Sequence, residues 1–175
     1  MKLILDFDDV LFKNTPEFKD WMFSVIAEAG VMRKKAEAEY KKVRMDQFSL
    51  RNFLTGLIGN DDIYKKIISI CSKLVNEEMI ASARQTGREN CYLVTNGDRE
   101  FQEDKIRRSG IVPLFKEIHI LPGSKKEVIE KICQKNPGEE IIFYDDKEKF
   151  FADLDRRKYP NLKTVLYKRG EPLEL

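Results

Sequence analysis

Five short apolar runs recur along the chain, at residues 2–7, 91–95, 117–121, 140–144 and 163–167. Each has the length of a strand, and none alternates strictly between apolar and polar positions. Continuous runs of this kind suit strands covered on both faces, as in a parallel sheet. Between them the apolar spacing turns helical. Asp98 reads as the N-cap of a helix ending at Gly110, where a glycine before apolar Ile111 marks a left-handed C-terminal turn. Ser124-Lys125-Lys126-Glu127 reads as a capping box, with Val128, Ile129, Ile132 and Cys133 as the buried stripe behind it. Phe150, Phe151 and Leu154 make a further short apolar face. From residue 90 onward the pattern predicts β-α-β-α-β-α-β, an α/β fold with a doubly wound parallel sheet.

Residues 14–88 read differently. They hold no strand pattern and predict amphipathic helices over 16–29, 34–44, 50–57, 61–74 and 77–85, punctuated by Gly30, Gly59-Asn60 and Gly87. An all-helical block of this length is long for a crossover between two strands. The expected organisation is therefore a core of residues 1–13 and 89–175, with a helical cap inserted at 14–88.

Composition narrows the function. Charged residues make up 35% of the 175, yet 32 Lys and Arg balance 30 Asp and Glu, for a net charge of +2. A balanced surface argues against a dedicated nucleic-acid binder, which needs a dominant basic field. Eleven Phe and 6 Tyr among 42% hydrophobic residues argue against disorder. No apolar stretch approaches the roughly 20 residues of a membrane-spanning helix, and Asp6 interrupts the first apolar run too early for a signal peptide. Cys71, Cys91 and Cys133 are widely spaced, with no Cys-x-x-Cys pair, and are expected to be reduced, mostly buried thiols of a cytoplasmic protein. His119, the sole histidine, reads as a structural strand residue, which sets serine–histidine catalysis aside.

In an open parallel sheet, functional groups collect beyond the carboxyl ends of the strands. The first run ends Asp6-Phe7-Asp8-Asp9, the second Thr95-Asn96-Gly97-Asp98 and the fourth Tyr144-Asp145-Asp146. Asp6 and Asp8, two positions apart, project to one side of an extended chain. With the first strand between the second and fourth, the carboxylates of Asp6, Asp8 and Asp146 converge. A divalent cation relieves their repulsion, and an all-oxygen ligand set favours Mg²⁺. One Asp-Asp pair alone is as well explained as a helix cap; two pairs on separate strands favour the metal. Thr95, Asn96 and Gly97 offer a hydroxyl and backbone N–H groups to a phosphoryl oxygen. Lys125 and Lys126 occupy the first turn of a helix, where the dipole disfavours cations, so one of them is expected to serve an anion.

These segments resemble the signatures of the haloacid dehalogenase superfamily. Asp6-Phe7-Asp8-Asp9-Val10 is similar to its first motif, Asp-x-Asp-x-(Thr/Val), and Leu93-Val94-Thr95-Asn96-Gly97 to its second. Lys125 is similar to the third-motif lysine, with Lys126 as a rival, and Ile142-Phe143-Tyr144-Asp145-Asp146 to the acidic fourth motif. The segment 105–115 and a helical insertion after the first motif extend the resemblance over nearly the whole chain. It implies phosphoryl transfer through an aspartyl-phosphate. Asp6 is then the nucleophile, Asp8 the acid and later the base, and Thr95 and Lys125 neutralise phosphoryl oxygens. Mg²⁺ is held by Asp6, the Asp8 carbonyl oxygen and Asp146, with Asp145 nearby. Asp8 is expected to begin protonated, its pKa raised by crowding and burial. Family members that attack carbon lack this second acid, so phosphate chemistry is implied over halide displacement. In one departure, Phe150 stands where the fourth motif carries a further Asp or Asn.

The expected substrate is a small phosphorylated metabolite, chosen by a cap that closes over the site. Arg33, Lys34, Lys35, Lys41, Lys42 and Arg44 form a basic run in that cap, read either as a solvated helix face or as an attractor for an anionic or nucleotide substrate. Trp21, Phe23, Phe48 and Phe53 read as cap core. Two rival classes remain: a phosphorylation-responsive receiver domain, disfavoured by the long insertion, and a catalytically silent member acting as a binding module.

Overall fold

A computed structural model describes residues 1–44 and 48–170. Residues 45–47 of the expected cap and 171–175 of the expected core lie outside the described residues. The sheet has five parallel strands in the order β3-β2-β1-β4-β5, with β1 Lys2–Leu5, β2 Cys91–Asn96, β3 Glu117–Leu121, β4 Ile141–Asp145 and β5 Leu162–Leu166. The central strand is therefore β1, flanked by β2 and β4 as expected. Burial on both faces explains its unbroken apolar run. Leu3 and Leu5 join one hydrophobic cluster, and Ile4 between them joins another.

The second cluster lies under α7 (Lys126–Lys135), where Ile129, Ile132 and Cys133 meet Phe143, Phe151 and Leu154. The first is larger. It unites the opposite sheet face with α6 (Arg99–Arg108) and with α1 (Lys19–Glu28), α2 (Arg33–Val43), α3 (Leu50–Leu57), α4 (Asp61–Ile68) and α5 (Glu77–Thr86). The inserted helices thus share one core with the sheet. At the end of the expected cap, α5 packs against β1, and the Cys91 thiol donates to the Ala83 carbonyl at 3.3 Å.

The two connections between sheet and inserted helices run side by side. Phe12 bridges antiparallel to Val75, Lys13 N–H donates to Leu74 at 2.8 Å, and Asn76 N–H donates to Leu11 at 2.8 Å. A π-helical turn over Asn14–Phe18 then leads into α1. The insertion is clamped at its base by backbone hydrogen bonds.

Three local expectations fail. The predicted helix between β4 and β5 is a single 3-10 turn, Glu148–Phe150, although Phe150, Phe151 and Leu154 are buried as expected. The predicted helix at 61–74 ends at Ile68 and continues as a 3-10 turn over Cys71–Lys73. The capping box is also displaced: α7 begins at Lys126, and the Ser124 hydroxyl accepts from the Lys126 N–H at 3.1 Å while donating to Asp153 at 2.9 Å. Asp98 caps α6 as expected, accepting from the Phe101 N–H at 2.9 Å. All three thiols are free and buried, with burial pushing Cys71 up to about 12 and Cys91 and Cys133 up to about 11. Among the described residues, no helix is long and apolar enough to cross a membrane.

Candidate functional site

The site lies beyond the carboxyl ends of β1, β2 and β4. Leu5 of β1 is level with Tyr144 of β4, so one further residue along each strand brings Asp6 beside Asp145. Strand β1 stops at Leu5, however, and the chain turns. Leu11 and Phe12 N–H groups both donate to the Phe7 carbonyl, and Asp9 takes a left-handed φ of 63°. Asp6 and Asp8 therefore do not share a strand face, as simple alternation predicts. They face different neighbours.

Asp6 belongs to a buried acidic group. Carboxylate oxygens of Asp6, Asp145 and Asp146 all lie within 4.8 Å of one another. Lys125 reaches into it from the residue preceding α7, donating to Asp6 Oδ1 at 2.6 Å and to Asp145 Oδ2 at 2.6 Å. Its side chain is 0% exposed, so this cation occupies the site, whereas Lys126 points outward to Glu130. Phe150, the departure noted in the fourth segment, lies beneath it with the Lys125 ammonium 4.5 Å from its ring centre. An aromatic face stands there in place of another carboxylate.

Charge in this group is unbalanced. Burial and the neighbouring Asp6 carboxylate push Asp145 up, against the opposing pull of Lys125. Burial likewise pushes Asp146 up, opposed by Lys147, whose ammonium pairs with it at 3.1 Å. Both Asp145 oxygens already accept, one from Lys125 and the other from the Lys147 N–H at 2.9 Å. Asp6 Oδ2 and Asp146 Oδ2 accept from no described residue. The donor set is all oxygen and net negative, and its open oxygens belong to Asp6 and Asp146. It suits a hard divalent cation such as Mg²⁺.

Asp8 requires correction on two points. Its carboxylate is not part of the acidic group; only its backbone carbonyl remains available as the ligand the resemblance implies. It turns to α6 instead, where Lys105 donates to Oδ1 at 2.5 Å and Gln102 to Oδ2 at 2.7 Å. The expectation of a raised pKa fails as well. Burial does push Asp8 up, but the Lys105 charge and the hydrogen bonds from Lys105 and Gln102 outweigh it, holding the carboxyl below its ordinary value.

Lys105 is itself buried, 1% exposed, with its ammonium 4.7–5.8 Å from the ring centres of Phe7, Phe12, Phe18 and Phe101. The signal for both residues was present in the sequence: Gln102 and Lys105 fall on the face of α6 that also buries Phe101 and Ile106. A cation and an amide on a core-facing stripe need partners. Asp8 is that partner.

Thr95 is buried at the end of β2, and Asn96 and Gly97 follow it. All three line a cavity of about 260 Å³ together with Asp6 and Asp8. Gly97 is required there. Its φ is 144°, and a Cβ would lie 3.0 Å from Gln102 Nε2. Inserted helices close the other side through Phe18, Met22, Tyr40 and Phe48, so Phe48 is cavity wall as well as cap core. Phe23 and Phe53 are core, and Trp21 donates to the Ile67 carbonyl at 3.0 Å. His119 sits in β3 against Glu117 at 3.0 Å, remote from this cavity's lining.

The five-stranded parallel sheet with its inserted helices recurs in solved structures. A protein from Burkholderia xenovorans LB400 assigned as a haloacid dehalogenase-like hydrolase matches with a TM-score of 0.71 and 18% identity, over 96% of this chain and 82% of that one. The fold is that of the haloacid dehalogenase-like hydrolases. YfnB of Bacillus subtilis, assigned as a HAD-hydrolase and solved bound to magnesium, matches at a TM-score of 0.53 and 16% identity, over 93% of this chain and 84% of that one. A Thermotoga maritima protein assigned as a beta-phosphoglucomutase matches at 0.58 and 13%, over 98% and 88%. At identities this low the likeness is one of fold. No protein-family model and no curated protein matches the sequence.

Proposed function

We propose that the chain is a Mg²⁺-dependent phosphatase that hydrolyses a small phosphomonoester through an aspartyl-phosphate on Asp6. The observation that carries this reading is the acidic trio Asp6, Asp145 and Asp146 joined to Lys125, with Asp6 also lining the cavity beneath the inserted helices. Bound Mg²⁺ supplies positive charge that lets an anionic phosphate approach a carboxylate; Asp6 and Asp146, with the Asp8 carbonyl, are the residues to hold it.

The chain's own residues do the rest. An Asp6 oxygen attacks phosphorus, the ester P–O bond breaks, and the leaving oxygen takes a proton from Asp8. Thr95 and Lys125 neutralise the phosphoryl oxygens; the Gly97 N–H is held by the Leu121 carbonyl at 2.9 Å. Water then attacks the phosphorus and loses its proton to Asp8, breaking the bond to Asp6 and releasing phosphate. Lys105 and Gln102 act as positioning residues that hold the Asp8 carboxylate. Their grip favours its charged form, which suits the second half of the cycle. Substrates whose leaving oxygen needs little protonation are therefore expected to react fastest. Free buried thiols fit a reducing, cytoplasmic setting.

The test is phosphate release from a panel of phosphomonoesters, with and without Mg²⁺. Turnover that requires the metal and disappears in Asp6→Asn, with the circular dichroism spectrum unchanged, supports the reading. Activity surviving that substitution defeats it, and a wild-type protein with no turnover points to a silent binding module.

A further inference from the structure

The cavity carries charge that the proposed chemistry does not use. Its lining acids are already engaged: Asp6 by Lys125, Asp8 by Lys105 and Gln102, and Asp98 by the start of α6. Lys105 and Lys147 are matched by Asp8 and Asp146. Three further cations line the same cavity without a carboxylate partner among the described residues. Lys19 donates only to the Thr15 hydroxyl, at 2.8 Å; Lys149 lies over the Phe150 ring at 4.9 Å; Arg44 has no ion pair. They come from separate elements: Lys19 opens α1, Arg44 ends α2, and Lys149 follows β4.

Elsewhere on the insertion, Lys34 and Lys35 also lack an ion pair among the described residues, but they are exposed and line no part of this cavity, while other cations are paired. Arg33 is tied to Asp20 and Glu37, Lys42 to Glu39, and Lys66 to Glu28. Of the basic run in α2 and its end, Arg44 alone lines the cavity. Tyr40, whose ring packs against Phe48, lines the cavity as well. A substrate whose non-reacting end were neutral would leave these cations with water alone.

We propose that the substrate carries a second anionic group, a carboxylate or a phosphate, and that Arg44, Lys19 and Lys149 receive it while the first phosphate meets Asp6. This rests on the phosphatase reading above. The second anion makes charge-assisted hydrogen bonds at the cavity mouth, and the apolar wall of Phe18, Met22 and Phe48 covers the body between the two ends.

Matched probes test it. The value of kcat/KM is measured with Mg²⁺ for 3-phosphoglycerate against glycerol 3-phosphate, and for fructose 1,6-bisphosphate against fructose 6-phosphate; p-nitrophenyl phosphate monitors the chemistry itself. The expected result is a preference of about tenfold or more for the doubly anionic member of at least one pair, the effect of one charge-assisted hydrogen bond. Which pair shows it tells carboxylate from phosphate. Arg44→Gln and Lys19→Gln are expected to narrow that ratio, and rising salt to narrow it further. Equal rates within both pairs, or a preference untouched by either substitution, overturns the proposal. If no probe turns over, the phosphatase reading falls. The same pairs are then titrated calorimetrically into the Asp6→Asn protein, where preferential binding of the doubly anionic member upholds the ligand class and equal binding overturns it.

Discussion

The Lys105 ammonium donates to Asp8 Oδ1 at 2.5 Å from a pocket of four aromatic rings that excludes water from it. A buried cation with one carboxylate partner is costly to lose from either side. It also fixes where the Asp8 side chain points.

Lys105→Met keeps the length of the side chain and removes its charge. We expect kcat to fall about 100-fold, within the usual range for a displaced acid–base group. The acid limb of the pH–rate profile should move to higher pH, because Asp8 loses the cation that holds it below its ordinary value. An unmoved limb would show that Lys105 does not govern Asp8.

Gly97→Ala tests the same clamp from the other side. An alanine there meets Gln102 Nε2 at 3.0 Å and Cγ at 3.2 Å, in a backbone conformation strained for any side chain. The expected cost is about 1–3 kcal/mol of stability, seen in urea unfolding. A loss of kcat should accompany it as Gln102 leaves Asp8. A Gly97→Ala protein as stable and as active as the wild type would remove Gln102 from the site.

Asp145 adjoins the proposed metal ligands Asp6 and Asp146, so the proposed metal binding is expected to depend on pH. Burial and Asp6 push Asp145 from an ordinary 3.8 up to about 6. The folded state thus favours its protonated form. In the metal-free protein the associated stability is present below 3.8 and is lost as pH rises through about 6. A cation reverses this, since the acidic group must ionise to bind it. Mg²⁺ should therefore raise Tm more above pH ~7 than below pH ~5. An equal rise at both, measured by scanning calorimetry, would separate the acidic group from metal binding.

Lys125 and Lys126 are neighbours with opposite surroundings. Lys125→Ala should abolish most turnover and leave Asp6 and Asp145 facing one another unpaired, while Lys126→Ala should change kcat less than about twofold, as for an exposed charge. Phe150→Leu should weaken the hold on Lys125 by about 1 kcal/mol through loss of its ring face. Steady-state rates and urea midpoints of the three variants check these expectations together.

The parts of the molecule legible in sequence were those where one local rule governs. Strand β1 could be read because Leu3, Ile4 and Leu5 are each buried, on alternating faces. The Asp98 cap could be read because its partner is three residues away. The helix expected after β4 could not, since Phe150, Phe151 and Leu154 satisfy the core from a turn as well as from a helix. The choice between Lys125 and Lys126 was equally hidden, because it depends on where α7 begins relative to Asp6, 119 residues away.

Composition and apolar patterning dictated a parallel sheet, an all-helical insertion and acids at the carboxyl ends of two strands, because burial on both faces and helix periodicity are properties of short stretches of chain. Tertiary structure decided which acids meet. Parallel register set Asp145 beside Asp6, the turn after Leu5 carried Asp8 away to α6, and the buried charge of Lys105 was waiting there. Coulomb energy and desolvation depend on distances between groups far apart in the chain, and no local pattern records those distances.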